Sequence, residues 1–301
     1  MADAEVTIPD HESRRPGSSD ALPVNRANPT EQVDISVIVC CSNDFDVLHA
    51  LESAREAYEI IVAMTPNALL EDYLARRGVR FVLAPAGNHA ILTNAGLDQV
   101  TQSTVIIIDS DTVLVPGTLA AVRTALEDAE IVNVPIEFDP GSNVVTRAVA
   151  KVRTFDNSYD GQAYKPGIAW RMSVKQRLGG YWYDSRVRWP CDAEMLWRIR
   201  EYGITIRHLP EPGLVHRPNP LAHAVRAYFH YGVGDGRRIA ALDQDTHWWP
   251  IRHLRKRYCA AAQTARTLSR REAAGFLAAL LTLDGCSLLG LAWELARPAR
   301  R

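Results

Sequence analysis

The feature that most constrains the fold is an alternation of apolar runs with amphipathic segments between residues 35 and 138. The apolar runs are rich in β-branched residues and have the length of buried strands. The segments between them place apolar residues three and four positions apart, as helices do. This alternation predicts an α/β fold, a doubly wound and mostly parallel sheet with helices on both faces. The predicted strands are "ISVIVCC", "YEIIVAM", "VRFVLAP", "TVIIID" and "AEIVNVPIEF".

The segments between these strands begin and end as helices do. "NALLEDYLARRG" stops at Gly78, and "VPGTLAAVRTALED" has its proline in the first turn, where the missing N–H costs no hydrogen bond. Beyond residue 140 the pattern becomes irregular. There we predict a short helix that ends at Gly179 and Gly180, a helix in "CDAEMLWRIREYG", a strand in "ITIRHLP", a loop in "LVHRPNP", and a helical segment with a glycine-rich break in "LAHAVRAYFHYGVGDGRRIAAL".

Composition limits the classes of protein to which the chain can belong. The chain has 301 residues and a net charge of −1, which disfavours a general nucleic-acid binder, since such proteins carry a basic excess. Its five cysteines show no paired metal spacing, and their odd number fits reduced, cytoplasmic thiols. Residues 1–33 are polar and lack the apolar core of a signal peptide, so we expect a disordered tail before a domain at 34–242.

Residues 243–301 are predicted to form a C-terminal helical extension. No uninterrupted apolar run reaches the ~18 residues of a membrane span. The nearest candidate, residues 273–296, contains Asp284 and Glu294 and has arginines at both ends. It either packs on the domain or in a dimer, or makes a peripheral membrane contact, and hydrophobic period does not separate these alternatives. The expected location is therefore the cytoplasm or the inner face of the cell membrane.

Two carboxylates stand where the buried run "TVIIID" ends. Asp109 and Asp111 are one residue apart, so on a regular strand they would face the same side. Because ligands bind beyond the carboxyl ends of parallel strands, the pair is a candidate site for a divalent cation. Mg²⁺ and Mn²⁺ prefer carboxylate oxygens and substrate phosphates as ligands. The alternative is an acidic loop or a helix N-cap.

Further candidates lie in the second half of the chain. Asp192 and Glu194 open a helix, where one carboxylate is a candidate general base and the alternative is a helix cap. His216 is a candidate third ligand for Mn²⁺, or else a structural histidine, and Arg217 could meet a phosphate. The glycines of "YFHYGVGDGRR" either bring backbone N–H groups to an anion or form a mobile loop.

The order of these motifs resembles that of the family 2 glycosyltransferases, which have a GT-A fold. The resemblance covers about residues 34–242. It depends on six stretches in the family's order, namely "ISVIVCCSND", "GNHAILTNAGL", "IIIDSDTVLVPGTL", "AWRMSVKQRLGGY", "CDAEMLWRIREYGITI", and "LVHR" followed by "YFHYGVGDGRR".

The resemblance implies transfer of a sugar from a nucleotide-sugar donor to an acceptor hydroxyl, with inversion. It implies that Asp111 is the principal ligand of Mn²⁺ or Mg²⁺, with Asp109 and His216 beside it, and that Asp192 is the general base. The implied acceptor is a saccharide, a lipid-linked molecule or a peptide, as in bacterial cell-envelope polysaccharide synthesis. The donor-binding residues it implies are Asp109, Asn94, Arg171 and Arg217.

Two positions depart from the family's pattern. The second strand ends in "VAMTPN" without a carboxylate, so Thr65 or Asn67 would contact the nucleotide through neutral hydrogen bonds. Cys191 stands where a glutamate usually precedes the base. These departures motivate a second hypothesis, a catalytically degenerate binding scaffold. A third, nucleotidyl transfer, is disfavoured because "CCSNDFD" is not a glycine-rich basic loop.

Overall fold

The computed structural model describes residues 32–42, 44–158, 165–187, 191–242 and 249–297. Residues 1–31, most of the predicted tail, lie outside the described residues. The elements are β1 Val33–Cys41, α1 Val47–Ser53, β2 Ala57–Met64, α2 Ala68–Arg76, β3 Arg80–Leu83, α3 His89–Leu97, β4 Thr104–Asp109, β5 Thr112–Leu114, α4 Thr118–Asp128, β6 Ile131–Asn133, β7 Ile136–Phe138, α5 Val144–Ser158, β8 Ile168–Arg171, α6 Val174–Arg177, α7 Cys191–Glu201, β9 Ile206–His208, β10 Leu214–His216, α8 Leu221–Leu242, α9 Trp249–Thr267 and α10 Arg270–Leu295.

A seven-stranded sheet in the order β3-β2-β1-β4-β8-β6-β9 forms the centre of the fold. Strands β3, β2, β1 and β4 run parallel to one another, as the alternation predicted. Strand β8 runs antiparallel to β4 and β6, and β6 pairs in parallel with β9. The predicted α/β class with a mostly parallel sheet is therefore confirmed.

Helices cover both faces of this sheet. Along β1, Val37 and Val39 belong to one apolar cluster, which includes residues of α1, α2 and α4. Ile38 and Cys40 belong to the opposite cluster, which includes residues of α3, α6 and α7. Successive side chains of a strand point to opposite faces, so a strand buried on both sides needs the continuous apolar run that the sequence has.

A second sheet, in the order β5-β10-β7, corrects two predictions. "AEIVNVPIEF", predicted as one strand, is divided at Pro135 into β6 and β7, which lie in different sheets. Proline has no N–H for a central ladder, which explains the interruption. Leu214–His216, predicted as a loop, is strand β10, which pairs antiparallel with β5 and parallel with β7.

The predicted glycine-rich break is also wrong, because α8 runs without interruption from Leu221 to Leu242. A Cβ atom on Gly232 would collide with the carbonyl oxygen of Ser287 in α10. A Cβ atom on Gly290 would collide with the carbonyl oxygen of Phe229 in α8. Gly232 and Gly290 therefore allow α8 and α10 to touch backbone to backbone, and the glycine-rich motif lies in a continuous helix instead of an anion-binding loop.

Candidate functional site

The chain changes sheets between Asp109 and Asp111. Asp109 is the last residue of β4 and pairs with Cys40 of β1. The N–H of Ser110 donates to the carbonyl of Cys40 over 2.9 Å, and β5 then begins at Thr112 in the small sheet. The strand ends at Asp109, as predicted, so the two carboxylates do not lie on one regular strand and their side chains have different neighbours.

Asp111 meets His216 across the small sheet. Nε2 of His216 lies 3.3 Å from Oδ2 of Asp111. Nδ1 of the same ring is 2.8 Å from the carbonyl oxygen of Arg217, which only accepts, so Nδ1 carries the hydrogen. Burial lowers the pKa of His216, although the charge of Asp111 opposes this shift. The neutral ring thus presents its Nε2 lone pair beside a carboxylate oxygen, an arrangement that a cation would stabilise.

The predicted three-residue metal shell is not assembled. Within the ranges that the structure describes, no group of three or more His, Cys, Asp or Glu side chains converges as metal ligands do. Asp111 and His216 nevertheless fit a divalent cation, since Mn²⁺ accepts both carboxylate oxygen and imidazole nitrogen. Such cations often use one or two side chains together with substrate phosphates, so two protein ligands suffice for this chemistry.

Asp109 belongs to a cluster of opposing charges. Burial raises its pKa to about 7 against the positive charge of Lys165. The charges of Asp111 and Asp192 raise this pKa further, whereas Arg153 of α5 lowers it. Asp111 and Asp192 therefore lie within electrostatic range of Asp109, the residue that ends β4.

Lys165, which the sequence analysis missed, lies within this cluster. Its Nζ donates to Oγ1 of Thr93 over 2.8 Å and lies 5.0 Å from the centre of the Tyr183 ring. Burial acts to lower the pKa of Lys165, but the carboxylates around it, Asp109 and Asp192, raise it above its ordinary value. The side chain is therefore a cation. No local motif marks it, because a lysine before a Pro-Gly pair has no characteristic function.

Asp192 is the second residue of α7. Its Oδ1 accepts a hydrogen bond from the N–H of Ala193 over 3.0 Å. Burial raises the pKa of Asp192, and the charge of Lys165 opposes the rise. Asp192 is thus both a helix-start carboxylate and a member of the charge cluster, so its two sequence interpretations are compatible.

Glu194, the other carboxylate of the predicted second acidic site, has a structural role instead. It is buried and pairs with Arg198, whose Nε lies 2.6 Å from Oε1. Arg198 also donates to the carbonyl oxygens of Leu178 and Tyr181. This ion pair joins α7 to the segment after α6, and Asp192 is left as the candidate base.

The structure does not bring Arg171 to the cluster. Arg171 pairs with Thr104 at the start of β4, whereas Asp109 is at the end of that strand. Its guanidinium donates to the carbonyl oxygens of Leu126 and Glu127 in the last turn of α4. A cation is favourable at a helix C-terminus, which accounts for this arginine without a ligand.

Two asparagines make hydrogen bonds to the main chain. Asn94 of α3 donates from Nδ2 to the carbonyl of Tyr183 over 2.8 Å and accepts from the N–H of Tyr183 over 3.1 Å. It thereby positions the segment whose ring faces Lys165, and contact with a donor stays a prediction. The side chain of Asn67 accepts hydrogen bonds from the first turn of α2, as N-cap residues do.

Arg217 lies beside the Asp111–His216 pair. Its main-chain N–H donates to the carbonyl of Asp111 over 3.2 Å, and its Nη1 is 2.5 Å from Oδ1 of Asp46.

The loop after β1 also contributes Asp44, which accepts from Oγ of Ser110 over 3.1 Å. Burial raises the pKa of Asp44. This edge of the site thus combines one cation with several carboxylates.

Comparisons with known proteins give fold similarity alone. No protein-family model and no curated protein sequence matches the chain. S. aureus TarS 1-349 is 14% identical, with a TM-score of 0.46 over 89% of this chain and 93% of that chain. Glucosyl-3-phosphoglycerate synthase from Mycobacterium tuberculosis, in complex with Mn²⁺, uridine-diphosphate and phosphoglyceric acid, is 15% identical, with a TM-score of 0.49 over 69% and 78%. Similarity at this level does not establish the chemistry of this chain.

Proposed function

We propose that this chain is a glycosyltransferase of the GT-A type that moves a sugar from a nucleoside-diphosphate sugar to an acceptor hydroxyl, with inversion. The observation that carries the proposal is the 3.3 Å approach of His216 Nε2 to Asp111 Oδ2, beside the charge cluster that contains Asp109 and Asp192. The six motifs that resemble family 2 in sequence support the same reaction.

On the donor side, Asp111 and His216 would hold Mn²⁺ or Mg²⁺, with Asp109 next to them. A divalent cation, when bound, neutralises the charge that develops on the diphosphate leaving group. Arg217 lies beside Asp111, and its planar guanidinium suits contact with a phosphate oxygen. Lys165 opposes the effect of burial on Asp109 and so keeps more of that carboxylate ionised near neutral pH.

On the acceptor side, Asp192 would remove the proton from the attacking hydroxyl. Its hydrogen bond from Ala193 orients the carboxylate, and burial raises its pKa, which makes it a stronger base than a carboxylate in water. Attack from the face of the sugar opposite the diphosphate would invert the anomeric carbon. Cys40 and Cys191 do not compete as nucleophiles, because burial raises the pKa of both thiols and keeps them protonated.

Calorimetric titration with a panel of nucleotides and nucleotide-sugars tests the donor side. We expect one donor to bind with Mn²⁺ and to lose affinity at least about tenfold when EDTA replaces the metal or when Asp111→Ala is introduced. Asp128→Asn, at a carboxylate whose side chain is 86% exposed, is the matched control and should bind normally. The proposal fails if no nucleotide binds the wild-type chain in either condition.

Hydrolysis of the donor separates an enzyme from a degenerate scaffold. We expect slow release of the nucleoside diphosphate by the wild-type chain and its loss in Asp111→Ala and Asp192→Asn. Equal background release from all three proteins would support the scaffold hypothesis and contradict the enzyme.

A further inference from the structure

The outward face of α10 is apolar over most of its length. Between residues 274 and 296 its solvent-exposed side chains are those of alanine, leucine, threonine and tryptophan. Leu281 is 60% exposed, Leu289 66% and Trp293 55%. A surface helix of a water-soluble domain normally places charged residues on this face. A continuous apolar surface of this kind marks an interaction site.

The charged residues of the same stretch point inward. Asp284 is buried and pairs with Arg257 of α9, whose Nη2 is 2.9 Å from Oδ1. Glu294 accepts from Nε of Arg237 in α8 over 3.0 Å. The polarity of α10 is thus reversed, because its polar groups bond within the protein and its apolar groups face outward.

The packing of α10 favours contact along its length over passage through a bilayer. By length and composition α10 is the one described helix that would be able to cross a membrane. It packs on α8 backbone to backbone at Gly232 and Gly290, however, and α8 exposes Arg226 and His230. A crossing α10 would carry these polar side chains of α8 into hydrocarbon, which is unfavourable.

The ends of the apolar face are basic. Arg270 and Arg271 precede it and Arg297 follows it, and all three are exposed. Exposed Arg255 and Lys256 lie on the neighbouring helix α9. Apolar side chains with cations at the margins match an anionic lipid surface, where acyl chains meet charged headgroups.

We propose that the outward face of α10, from Ala274 to Ala296, docks the protein on an anionic lipid surface. The inner face packs on the domain and the outer face is free for lipid, so the two alternatives left open by the sequence are compatible. Trp293 near the end of the face suits the boundary between headgroups and acyl chains. The proposal does not depend on the glycosyltransferase assignment, since none of these residues belongs to the charge cluster.

Vesicle flotation of the full chain tests this surface. We expect binding to phosphatidylcholine vesicles that contain about a third phosphatidylglycerol, and weaker binding to pure phosphatidylcholine or in added salt. Leu281→Glu combined with Leu289→Glu should reduce the bound fraction at least about tenfold. Leu69→Glu, at a leucine of α2 that is 74% exposed, is the matched control and should bind like the wild type.

Two outcomes would overturn the proposal. One is flotation of the double variant equal to that of the wild type. The other is a wild-type chain that does not bind vesicles and is a dimer by light scattering, while the double variant is a monomer. That result would assign the outward face of α10 to contact with a second copy of the chain. If the double variant melts below the wild type, quenching by brominated lipid provides an independent readout. Trp293→Phe should then lower the quenching of tryptophan fluorescence, and unchanged quenching would contradict docking.

Discussion

His216 and Asp111 are brought together by the antiparallel pairing of β5 with β10, with His216 Nε2 3.3 Å from Asp111 Oδ2. The register places His216 opposite Thr112, the residue after Asp111. Phe138 of β7 lies against the imidazole with ring centres 5.2 Å apart, and the Arg217 carbonyl accepts from Nδ1. The ring is therefore held on two sides, and its orientation towards Asp111 does not require a ligand.

His216→Ala should weaken metal-dependent donor binding by about tenfold to a hundredfold, because it removes one of two adjacent ligand groups. Calorimetric titration with Mn²⁺ measures the change. His49→Ala on the exposed side of α1 is the control and should leave the affinity unaltered. A variant at His216 with wild-type affinity would exclude this histidine from the metal site.

Asp192→Asn should lower kcat about 10²–10⁴-fold while leaving donor affinity unchanged, because the amide cannot accept the proton of the acceptor. Asparagine retains an oxygen for the N–H of Ala193, so the start of α7 should be preserved. Steady-state kinetics and donor titration measure the two effects separately. A loss of less than about tenfold in kcat would assign Asp192 to the helix start alone.

Lys165→Met should move the acid limb of the pH–activity profile upward by about one pH unit or more. Burial raises the pKa of Asp109 to about 7 against the charge of Lys165, so removal of that charge raises this pKa further. Activity that needs the ionised carboxylate is then lost at neutral pH and recovered at higher pH. The measurement is log(kcat/KM) against pH, with Lys175→Met on α6 as control. A profile that falls equally at every pH would contradict the electrostatic role.

Asp109→Asn should raise the Tm of the metal-free protein more at pH 8 than at pH 4. Burial raises the pKa of Asp109 from 3.8 to about 7, so the folded state binds this proton more tightly than the unfolded state. Stability from this group therefore falls as pH rises between these values. Asparagine removes that loss, and each kcal/mol of free energy of unfolding corresponds to a change in Tm of about 2–4 °C. Thermal melts in EDTA measure the Tm difference between the variant and the wild type. A Tm difference that is equal at pH 4 and pH 8 would be inconsistent with a raised pKa of Asp109.

Gly290→Ala should destabilise the protein by about 1–3 kcal/mol or more, because the new methyl group collides with the carbonyl of Phe229 and pushes α10 from α8. Gly285→Ala is the matched control in the same helix, since no neighbouring atom lies within 4 Å of its added Cβ. It should be neutral or stabilising by up to about 1 kcal/mol. Urea denaturation compares the two, and equal effects would mean that the helices are not in close contact there.

Local patterns predicted the strands of the parallel half well. "YEIIVAM" became β2, Ala57–Met64, and "TVIIID" became β4 with its predicted bounds. The same patterns failed where the chain divides between two sheets, at Pro135 and at Leu214–His216. Three-residue strands have too few positions for alternation to show, and their stability comes from a partner far away in the chain.

The residues of the candidate site were likewise predicted only in part. The sequence indicated Asp109, Asp111, Asp192 and His216, because acidic residues after a buried run are unusual and visible. It also suggested Arg171 and Glu194, whose guanidinium and carboxylate are bound within the fold instead. A charged side chain with a structural role is recognised by its ion-pair partner or by its position in the strand register. Neither can be inferred from the spacing of residues in the sequence.

The sequence by itself determined the α/β class and the end of the sheet at which carboxylates collect, since apolar periodicity and strand ends are properties of contiguous residues. The tertiary structure alone decided that Asp111 meets His216, that Lys165 stands among the acids, and that the glycines of α8 serve helix contact. It also decided which face of α10 is outward. Each of these depends on pairing between distant segments, which fixes geometry only after the chain has folded.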